Sequence, residues 1–342
     1  MLPLAKKRRL NKTVIIIFSL FLMGLWIQHV FTLLNPADPS GQAPNALVQI
    51  APRSTTGQIA AMLEKQGIIR DDRAFRLYAR YHNLDSKIQA GYYFLNPSMS
   101  AKEILNILVR GKTASKSFTI PEGYTLKKIT ESLSAKGFIR EQLFHDLLVN
   151  GRFNYAFLKD IPQGENRLEG YLFPETYNIS LDSTEKDILN AMLAGMERQI
   201  KEIKLEEKAK ELNLTLHQAV TLASMIEREA RVDQDRALIS GVIHNRMKTG
   251  MLLQIDATVE YALGGPREKI YYKDLEVESP YNTYKYNGLP PGPIASPGRE
   301  SLLAAVNPAQ TKYLYYVAKP DGSHAFAETL AEHNANKLKY LK

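Results

Sequence analysis

The stretch L-A-S-M-I-E-R-E-A, residues 222–230, decides how this chain folds and which chemistry it can perform. Its apolar residues recur at helical spacing, which predicts a buried stripe on a helix within residues 215–246. Glu227 lies at the margin of that stripe, whereas Glu229 is expected at the surface or against a neighbouring helix. Partial burial of a carboxylate favours its protonated form, which a general acid requires. The alternative is that residues 227–229 form only a solvated charged turn.

The composition is that of a globular protein and argues against several function classes. The 342 residues are enough for about two domains with appendages. The absence of cysteine excludes disulfides, thiolate metal sites and cysteine nucleophiles. The net charge of +8 does not indicate nucleic-acid binding, because no basic stripe with interleaved aromatic residues is present. Five positive charges are instead gathered near the N-terminus, at Lys6, Lys7, Arg8, Arg9 and Lys12.

Residues 13–34 form an apolar run without acidic or basic residues that is long enough to cross a bilayer. A helix of this length spans about 33 Å. A cleaved signal peptide is disfavoured, because its apolar region would be shorter and a small-residue cleavage site should follow. The basic tail, residues 1–12, places the N-terminus in the cytoplasm, and residues 35–342 then lie outside. We therefore expect a single-pass protein of the cytoplasmic (inner) membrane with a periplasmic body, joined to its anchor by a Pro- and Gly-rich linker, residues 35–46.

Two segments offset by 70 positions, residues 50–71 and 120–141, repeat one pattern. In each copy a short strand that ends at a proline precedes a threonine-capped amphipathic helix, and a glycine suited to positive φ closes that helix. The capping and closing residues are Thr55, Gly67, Thr125 and Gly137. The pattern predicts a repeated small α/β unit.

The first copy extends through a further strand at 91–95 and a helix at 100–108. The strand–helix–helix–strand order of residues 47–115 resembles the LysM module, which binds glycans that contain N-acetylglucosamine. The alternative is that this unit serves only as a spacer. Residues 116–164 are expected to be a second, repeat-like connecting segment.

Residues 165–342 form the predicted catalytic domain, and residues 168–177 (L-E-G-Y-L-F-P-E-T-Y) begin its distinctive part. Carboxylates and aromatic rings are crowded there around a glycine and a proline, which predicts an ordered loop presenting side chains to a cleft. The alternative is a structural loop with Tyr171 and Phe173 in the core.

Two later segments suggest the walls of a groove that binds a polymer. Residues 253–259 alternate apolar and polar side chains, which predicts a strand or extended loop with a polar face. Residues 288–298 contain four prolines and three glycines, which predicts a rigid loop because proline restricts the backbone.

The remaining sequence patterns narrow the chemistry. His324 and His333 are the only plausible metal-ligating pair of this region, and no HxxxH or HExxH spacing occurs. There is no G-x-S-x-G nucleophile elbow and no glycine-rich phosphate loop. By elimination we expect carboxylate acid–base chemistry on a glycan, without a metal or another cofactor.

Five motifs in one order carry a resemblance that covers almost the whole chain. They are residues 168–177, A-S-M-I-E-R-E at 223–229, N-R-M-K-T-G-M-L-L-Q-I-D-A-T-V at 245–259, S-P-Y-N-T-Y at 279–284 and G-L-P-P-G-P-I-A-S-P-G at 288–298. Together they resemble the endolytic murein transglycosylases, the YceG-like family. Met225, Arg228 and Ile255 depart from residues common in the family, and none is a proposed reacting group. The resemblance implies an α+β catalytic domain behind small α/β modules.

The resemblance also implies an activity, the non-hydrolytic cleavage of the β-1,4 bond between N-acetylmuramic acid and N-acetylglucosamine. The family's catalytic glutamate falls on Glu227, acting first as acid and then as base to leave a 1,6-anhydro end. Membrane anchoring implies that the enzyme cuts nascent peptidoglycan strands and ends their elongation, with peptidoglycan synthases as partners. The predicted substrate-binding residues are Glu169, Tyr171, Glu175, Tyr177, Asn245, Gln254, Asp256, Tyr281, Asn282 and Tyr284.

Two other functions remain open on the sequence. A muramidase-type hydrolase would pair Glu227 with Glu169, Glu175 or Asp256 and would release reducing ends. A non-catalytic cell-wall-binding protein would use the repeated units and the groove for adhesion alone.

Overall fold

A computed structural model describes residues 12–111 and 113–341, and side chains within the first helix from residue 14 onward. Helices alternate with three two-stranded sheets, which confirms the predicted mixed α+β class. The contacts divide the chain into two units, residues up to 116 with 179–182, and residues 117–178 with 183–342. The predicted cytoplasmic tail, residues 1–12, depends on basic side chains that lie outside the described part of the chain.

Helix α1 (Lys12–Leu33) covers residues 13–33 of the predicted membrane anchor, residues 13–34. Over Val14–Leu33 its mean hydropathy is 2.2, so it is long and apolar enough to cross a membrane. At its end, the side chain of Leu34 enters the core of the first unit, and its carbonyl accepts the Ala101 N–H at 2.9 Å. The C-terminal end of α1 is therefore packed into the folded first unit.

The first unit follows the predicted strand–helix–helix–strand order. Its elements are β1 (Ala46–Ile50), α2 (Thr56–Lys65), α3 (Asp72–Tyr81), β2 (Gly91–Leu95) and α4 (Ala101–Arg110). β1 and β2 pair antiparallel, with Ala46 opposite Leu95. Thr55 and Ser100 begin α2 and α4 with reciprocal capping boxes, as expected for these residues. The likeness to a LysM module, and sugar binding by it, stay predictions.

The linker, residues 35–46, is hydrogen-bonded to this unit. Arg70 Nε donates to the Pro36 carbonyl at 2.6 Å, and Asn96 Nδ2 donates to the Ala43 carbonyl at 2.6 Å. The Asp38 N–H bonds the Pro97 carbonyl at 2.9 Å. The linker therefore lies along the first unit, although its composition is typical of a free tether.

The second unit begins with the second copy of the repeat. β3 (Ser115–Thr119) pairs with β4 (Thr176–Ser180), and α5 (Leu126–Ala135) and α6 (Glu141–Asn150) lie between them in sequence. The Thr125 side chain caps α5, and Gly137 closes the turn after it at φ 69°. Gly67 has nearly the same φ, 70°, in the first copy, so both helices of the repeat end as the sequence predicts.

Helices form most of the rest of the second unit, and α9 lies at their centre. They are α7 (Glu185–Glu202), α8 (Leu205–Glu211), α9 (Leu216–Glu229), α10 (Asp233–Thr249), α11 (Asp256–Ala262) and α12 (Arg299–Val306). α9 packs against α8, α10, α11 and α12, and its residues 219–226 are all buried. The chain then forms the antiparallel hairpin β5 (Tyr315–Ala318) and β6 (His324–Ala327), followed by α13 (Leu330–Tyr340).

Two predictions about local structure were wrong. Residues 256–262 form α11, because the alternation also places Ile255 and Val259 four positions apart, and both pack inward at helical spacing. Thr258 Oγ1 donates to the Ile255 carbonyl at 2.7 Å and reinforces that first turn. Residues 168–174 are buried, and apart from Glu169, which lines a cavity, their side chains belong to the core, so the structural-loop alternative describes most of this segment.

Candidate active site

Glu227 occupies the last turn of α9, where the helix leaves the core. Thr215 and Gln218 form the capping box that begins α9, and the helix ends at Ala230, whose backbone is extended. The Glu227 side chain is 7% exposed, which contradicts the alternative of a solvated charged turn. A carboxylate in such a place must be hydrogen-bonded to remain buried.

Two donors hold one oxygen of this carboxylate. Glu227 Oε2 accepts the Gly298 backbone N–H at 3.0 Å and Arg236 Nη1 at 3.3 Å. Oε1 accepts no hydrogen bond from the described residues. One oxygen of Glu227 is therefore fixed by two donors, and the other accepts none from the described residues.

Arg236 reaches Glu227 from the second turn of α10. Its Nη1 also donates to the Ser301 hydroxyl on α12, and its Nε donates to Asp233 Oδ1 at 3.2 Å. Only 12% of the Arg236 side chain is exposed, so its guanidinium is fixed by neighbours on three helices. Nothing in the sequence pattern singles out Arg236, because its place depends on how α9 and α10 pack.

A second carboxylate that sequence reasoning missed, Glu122, lies in the turn before α5. The Gly123 N–H donates to the Ser296 carbonyl and the Ser296 N–H donates to the Tyr124 carbonyl, both at 2.8 Å. These bonds fix the turn beside the proline-rich loop that supplies Gly298. The only local signal was an acidic residue between the strand proline and the capping threonine of the repeat.

Glu169 is buried and bonds the start of α5. Its Oε1 accepts the Leu126 N–H at 3.0 Å, and its Oε2 accepts the Tyr261 hydroxyl at 3.2 Å. Burial is the main cause that raises the pKa of Glu169, to about 8, and these hydrogen bonds only partly offset it. Burial therefore favours the protonated form of Glu169.

A cavity of about 450 Å³ lies between α5, α9 and α11. Arg228, the neighbour of Glu227 in sequence, lines it and pairs with Glu260 at 3.0 Å. Polar and aromatic side chains complete its wall, among them Lys128, Glu169 and Tyr261. A lining of this kind suits a hydroxyl-rich ligand.

The other predicted residues of the 168–177 segment do not face this cavity. Tyr171 is fully buried, and its hydroxyl bonds His217 Nδ1 at 2.8 Å. The Tyr177 hydroxyl donates to the Phe173 carbonyl at 2.6 Å within the core. Glu175 is exposed and paired with Arg198 at 2.6 Å. In this conformation the two tyrosines stabilise the core and leave no face for a sugar.

Two predicted asparagines hold backbone segments in place. Asn245 Nδ2 donates to the carbonyls of Thr311 and Tyr313, at 2.9 and 3.0 Å. Asn282 is fully buried, and its Nδ2 donates to the carbonyls of Leu275 and Val277. Their amide donors are thus used inside the protein.

The remaining predicted residues cluster around α11. Gln254 and Asp256 are exposed, and the Tyr284 hydroxyl donates to Asp256 Oδ1. The ring centroid of Tyr281 lies 4.8 Å from that of Tyr261, which in turn bonds Glu169. The structure therefore brings Glu169, Tyr261 and Tyr281 together, and Asp256 and Tyr284 form a separate pair.

The prediction that Glu229 is a surface or helix-pairing residue was wrong. Its Oε2 accepts the Tyr316 hydroxyl at 3.0 Å, and burial raises the pKa of Glu229 to about 7. The hairpin of β5 and β6 covers this end of α9, which the helical pattern of α9 alone could not reveal. Within the described part of the chain, no three His, Asp or Glu residues are grouped to hold a metal ion.

A larger cavity, of about 1230 Å³, surrounds the opposite end of α9. His217 and the proline-rich loop at Pro290 and Pro291 line it. His217 and Glu227 lie ten positions apart on α9, which corresponds to a rise of about 15 Å along the helix. This cavity is therefore apart from the carboxylate site.

Fold and site together define a protein with a buried carboxylate suited to acid–base work on a mixed α+β scaffold. The chain belongs to the YceG-like family, which matches residues 48–339. A crystal structure of a YceG-like protein from Listeria monocytogenes is similar, with a TM-score of 0.58 and 34% identity, over 86% of this chain and 99% of that one.

Two curated relatives carry the name endolytic murein transglycosylase. The relative from Bacillus subtilis is 37% identical over 329 residues, which cover 91% of this chain and 88% of that protein. The relative from Streptococcus pneumoniae is 32% identical over 342 residues, which cover 92% of this chain and 61% of that longer protein.

Proposed function

We propose that this chain is a lytic transglycosylase that cleaves peptidoglycan between N-acetylmuramic acid and N-acetylglucosamine. Membership of the YceG-like family and the names of the relatives support the reaction class. The observation that carries the assignment to Glu227 is its contact geometry. One carboxylate oxygen is held by Gly298 and Arg236, and the other accepts no hydrogen bond from the described residues.

In the first step, Glu227 donates a proton to the glycosidic oxygen as the bond from that oxygen to C1 of the muramic acid breaks. The bonding electron pair leaves with the oxygen, which becomes the 4-hydroxyl of the departing N-acetylglucosamine. The ring that remains has oxocarbenium character. Gly298 and Arg236 stabilise the carboxylate charge that Glu227 acquires.

In the second step, the 6-hydroxyl of the same muramic acid attacks C1. Ionised Glu227 takes the hydroxyl proton, and the new bond from O6 to C1 closes the 1,6-anhydro ring. Glu227 ends the cycle protonated, so the reaction consumes no water and needs no second carboxylate as nucleophile.

The cavity of about 450 Å³ supports a binding place for the strand next to Glu227. Arg228 lines the cavity and is joined directly to Glu227 in the chain. We propose that Tyr261 and Tyr281 offer aromatic faces to sugar rings there, and that Gln254 at the exposed start of α11 contacts the strand farther along.

Each hydrolase partner considered from the sequence has another role in the structure. Glu169 binds the start of α5, Glu175 pairs with Arg198, and Asp256 accepts from Tyr284. These contacts favour the transglycosylase over a muramidase that relies on one of these three residues.

We further propose that α1 anchors the enzyme in the cytoplasmic membrane with its body on the periplasmic side. The length and hydropathy of the helix support an anchor. An enzyme tethered in this way acts on strands near the membrane, where they are polymerised, so peptidoglycan synthases are the expected partners. The first unit would bind glycan in the manner of a LysM module.

The test is mass spectrometry of the products from uncrosslinked glycan strands treated with the full chain in detergent. Native protein should give 1,6-anhydro ends, and Glu227→Gln should give none. Glu197→Gln removes a half-buried carboxylate that pairs with Lys201 on α7, away from Glu227, and it should behave as native. Reducing ends would instead indicate a hydrolase. Strand binding without cleavage by any form would indicate a wall-binding protein.

A further inference from the structure

Glu122 and Glu227 both lie against one glycine, Gly298. The Gly298 N–H donates to Glu227 Oε2 at 3.0 Å. A Cβ atom added to Gly298 would overlap with the Glu122 carboxylate, so that carboxylate rests against the Gly298 Cα. Only a residue without a side chain lets both carboxylates occupy these places.

The backbone next to Glu122 is also in contact with the Glu227 side chain. A Cβ atom on Gly123 would lie 3.9 Å from Glu227 Cγ and 3.9 Å from Arg228 Cδ. The two hydrogen bonds between residues 123–124 and Ser296 hold this turn against the loop that carries Gly298. The position of Glu122 relative to Glu227 is thus set by the backbone of both segments.

The Glu122 carboxylate accepts no hydrogen bond from the described residues. The charged groups around it come from three other helices, Glu227 on α9, Asp233 and Arg236 on α10, and Glu300 on α12. Partial burial raises the pKa of Glu122, the Glu227 charge raises it further, and Arg236 opposes this. Three carboxylates and one guanidinium are therefore near enough to act on the charge of Glu122.

We propose that Glu122 is a positioning residue of the active site, whose negative charge beside Gly298 helps Glu227 to act as the acid of the proposed reaction. The inference rests on the proposed function, because it explains how the acid of that reaction keeps its proton. Gly298 and Arg236 both stabilise ionised Glu227, which works against a general acid. A second carboxylate beside Gly298 offsets them, because two adjacent carboxylates resist ionising together.

Glu122 acts through Glu227 in both proton-transfer steps of the proposed reaction. While substrate is unbound, the negative charge of Glu122 opposes the appearance of a second negative charge on Glu227. When Glu227 protonates the leaving oxygen, both carboxylates are ionised, and their repulsion favours return of a proton from the 6-hydroxyl. Glu122 thereby assists the basic half of the cycle without touching the sugar.

The experiment is the pH profile of kcat, from pH 4.5 to 9, for the full chain in detergent acting on uncrosslinked strands. Glu122→Gln should retain the native rate at the acidic end and lose activity at a lower pH than native. A displacement of one pH unit corresponds to about a tenfold lower rate on the alkaline side. Glu122→Asp, which restores the charge, should recover part of the alkaline activity, and KM should change little in either variant.

Glu300→Gln is the matched control, because it removes a charge of the same sign from the same neighbourhood. It should move the profile less than Glu122→Gln. An equal displacement by both, an equal loss at every pH, or a profile unchanged by Glu122→Gln would each overturn the inference. The products separate the two proposals, since a displaced profile with reducing ends would retain the role of Glu122 and reject the lyase reaction.

Discussion

At the scale of single residues, Glu169 makes the stability of the second unit depend on pH. Its pKa is raised from 4.5 in an open environment to about 8 in the fold. The folded protein therefore binds an extra proton between these pH values, and stability is full below pH 4.5 and falls as pH rises towards 8. A shift of this size corresponds to ~5 kcal/mol.

Glu169→Gln imitates the protonated carboxyl group and should remove the loss of stability that native protein shows as pH rises. We expect the difference in free energy of unfolding between variant and native to grow in favour of the variant from pH 5 to pH 8, as measured by urea denaturation. Glu175→Gln, at an exposed ion pair, should give a nearly constant difference. A constant difference for Glu169→Gln as well would contradict the assignment.

Two fully buried serines provide a second test at this scale. Ser224 Oγ donates to the Thr221 carbonyl at 2.7 Å and accepts the Ile294 N–H at 3.0 Å, whereas Ser240 Oγ has no partner among the described residues. Ser224→Ala should cost about 1–3 kcal/mol, because it leaves the Ile294 N–H unpaired. Ser240→Ala should be neutral or stabilising in the same denaturation measurement. Equal effects would refute the distinction.

At the scale of elements, α10 approaches the segment before β5 so closely that position 241 must be glycine. A Cβ atom on Gly241 would lie 2.5 Å from the Ala309 carbonyl oxygen, a backbone atom that is itself fixed because the Ala309 N–H bonds the Ala237 carbonyl at 2.9 Å. Gly241→Ala should destabilise the second unit by about 1–3 kcal/mol.

Gly57 on α2 is the matched control for this substitution. It is also helical, but the nearest atom to its Cβ position is Arg76 Cδ at 3.6 Å, on a flexible side chain. Gly57→Ala should stabilise by about 0.5–1 kcal/mol, since alanine favours the helix. The measurement is thermal unfolding of both variants. If Gly241→Ala left the stability unchanged, α10 and the segment before β5 could move apart at no cost in free energy.

Whether the local sequence pattern predicts an element depends on how far along the chain its hydrogen-bond partners lie. The caps at Thr55, Thr125 and Thr215 were predictable because their hydrogen bonds lie within the next three residues. Helix α11 was not predictable, because a short stretch of alternating apolar and polar residues is compatible with a strand and also with one face of a helix. The Ile255 N–H is held by the Thr283 hydroxyl at 2.9 Å, a partner 28 residues away.

At the scale of the whole molecule, the contacts of α1, the proposed anchor, with the core of the first unit limit where the chain can be shortened. Leu34 is buried in the core of the first unit, and Val30 and Leu33 pack against that core. Removal of residues 1–28 should preserve the first unit, whereas removal of residues 1–35 should lower its stability by about 2–5 kcal/mol.

Thermal unfolding and membrane fractionation of both truncated forms test this. Both should leave the membrane fraction, in which the full chain should remain after carbonate extraction. The shorter form should unfold at a lower temperature than the longer one. Equal unfolding temperatures would show that Leu34 adds nothing to the core.

The sequence by itself determined the class of fold, the order of most elements and the family. Helix caps, closing glycines and apolar periodicity act within a few residues, and an ordered set of motifs in a single chain identifies the family. It also placed Glu227 on a half-buried helix, since that depends only on the spacing around it.

Only the tertiary structure decided what surrounds that glutamate. Glu122 lies 105 positions before Glu227 and Gly298 lies 71 after it, yet both carboxylates lie against Gly298. Burial of Glu229 under the β5–β6 hairpin, and of Glu169 at the start of α5, likewise required elements that are distant in the chain. The physical reason is that burial and charge interactions depend on distance in space, whereas the sequence orders residues only along the backbone.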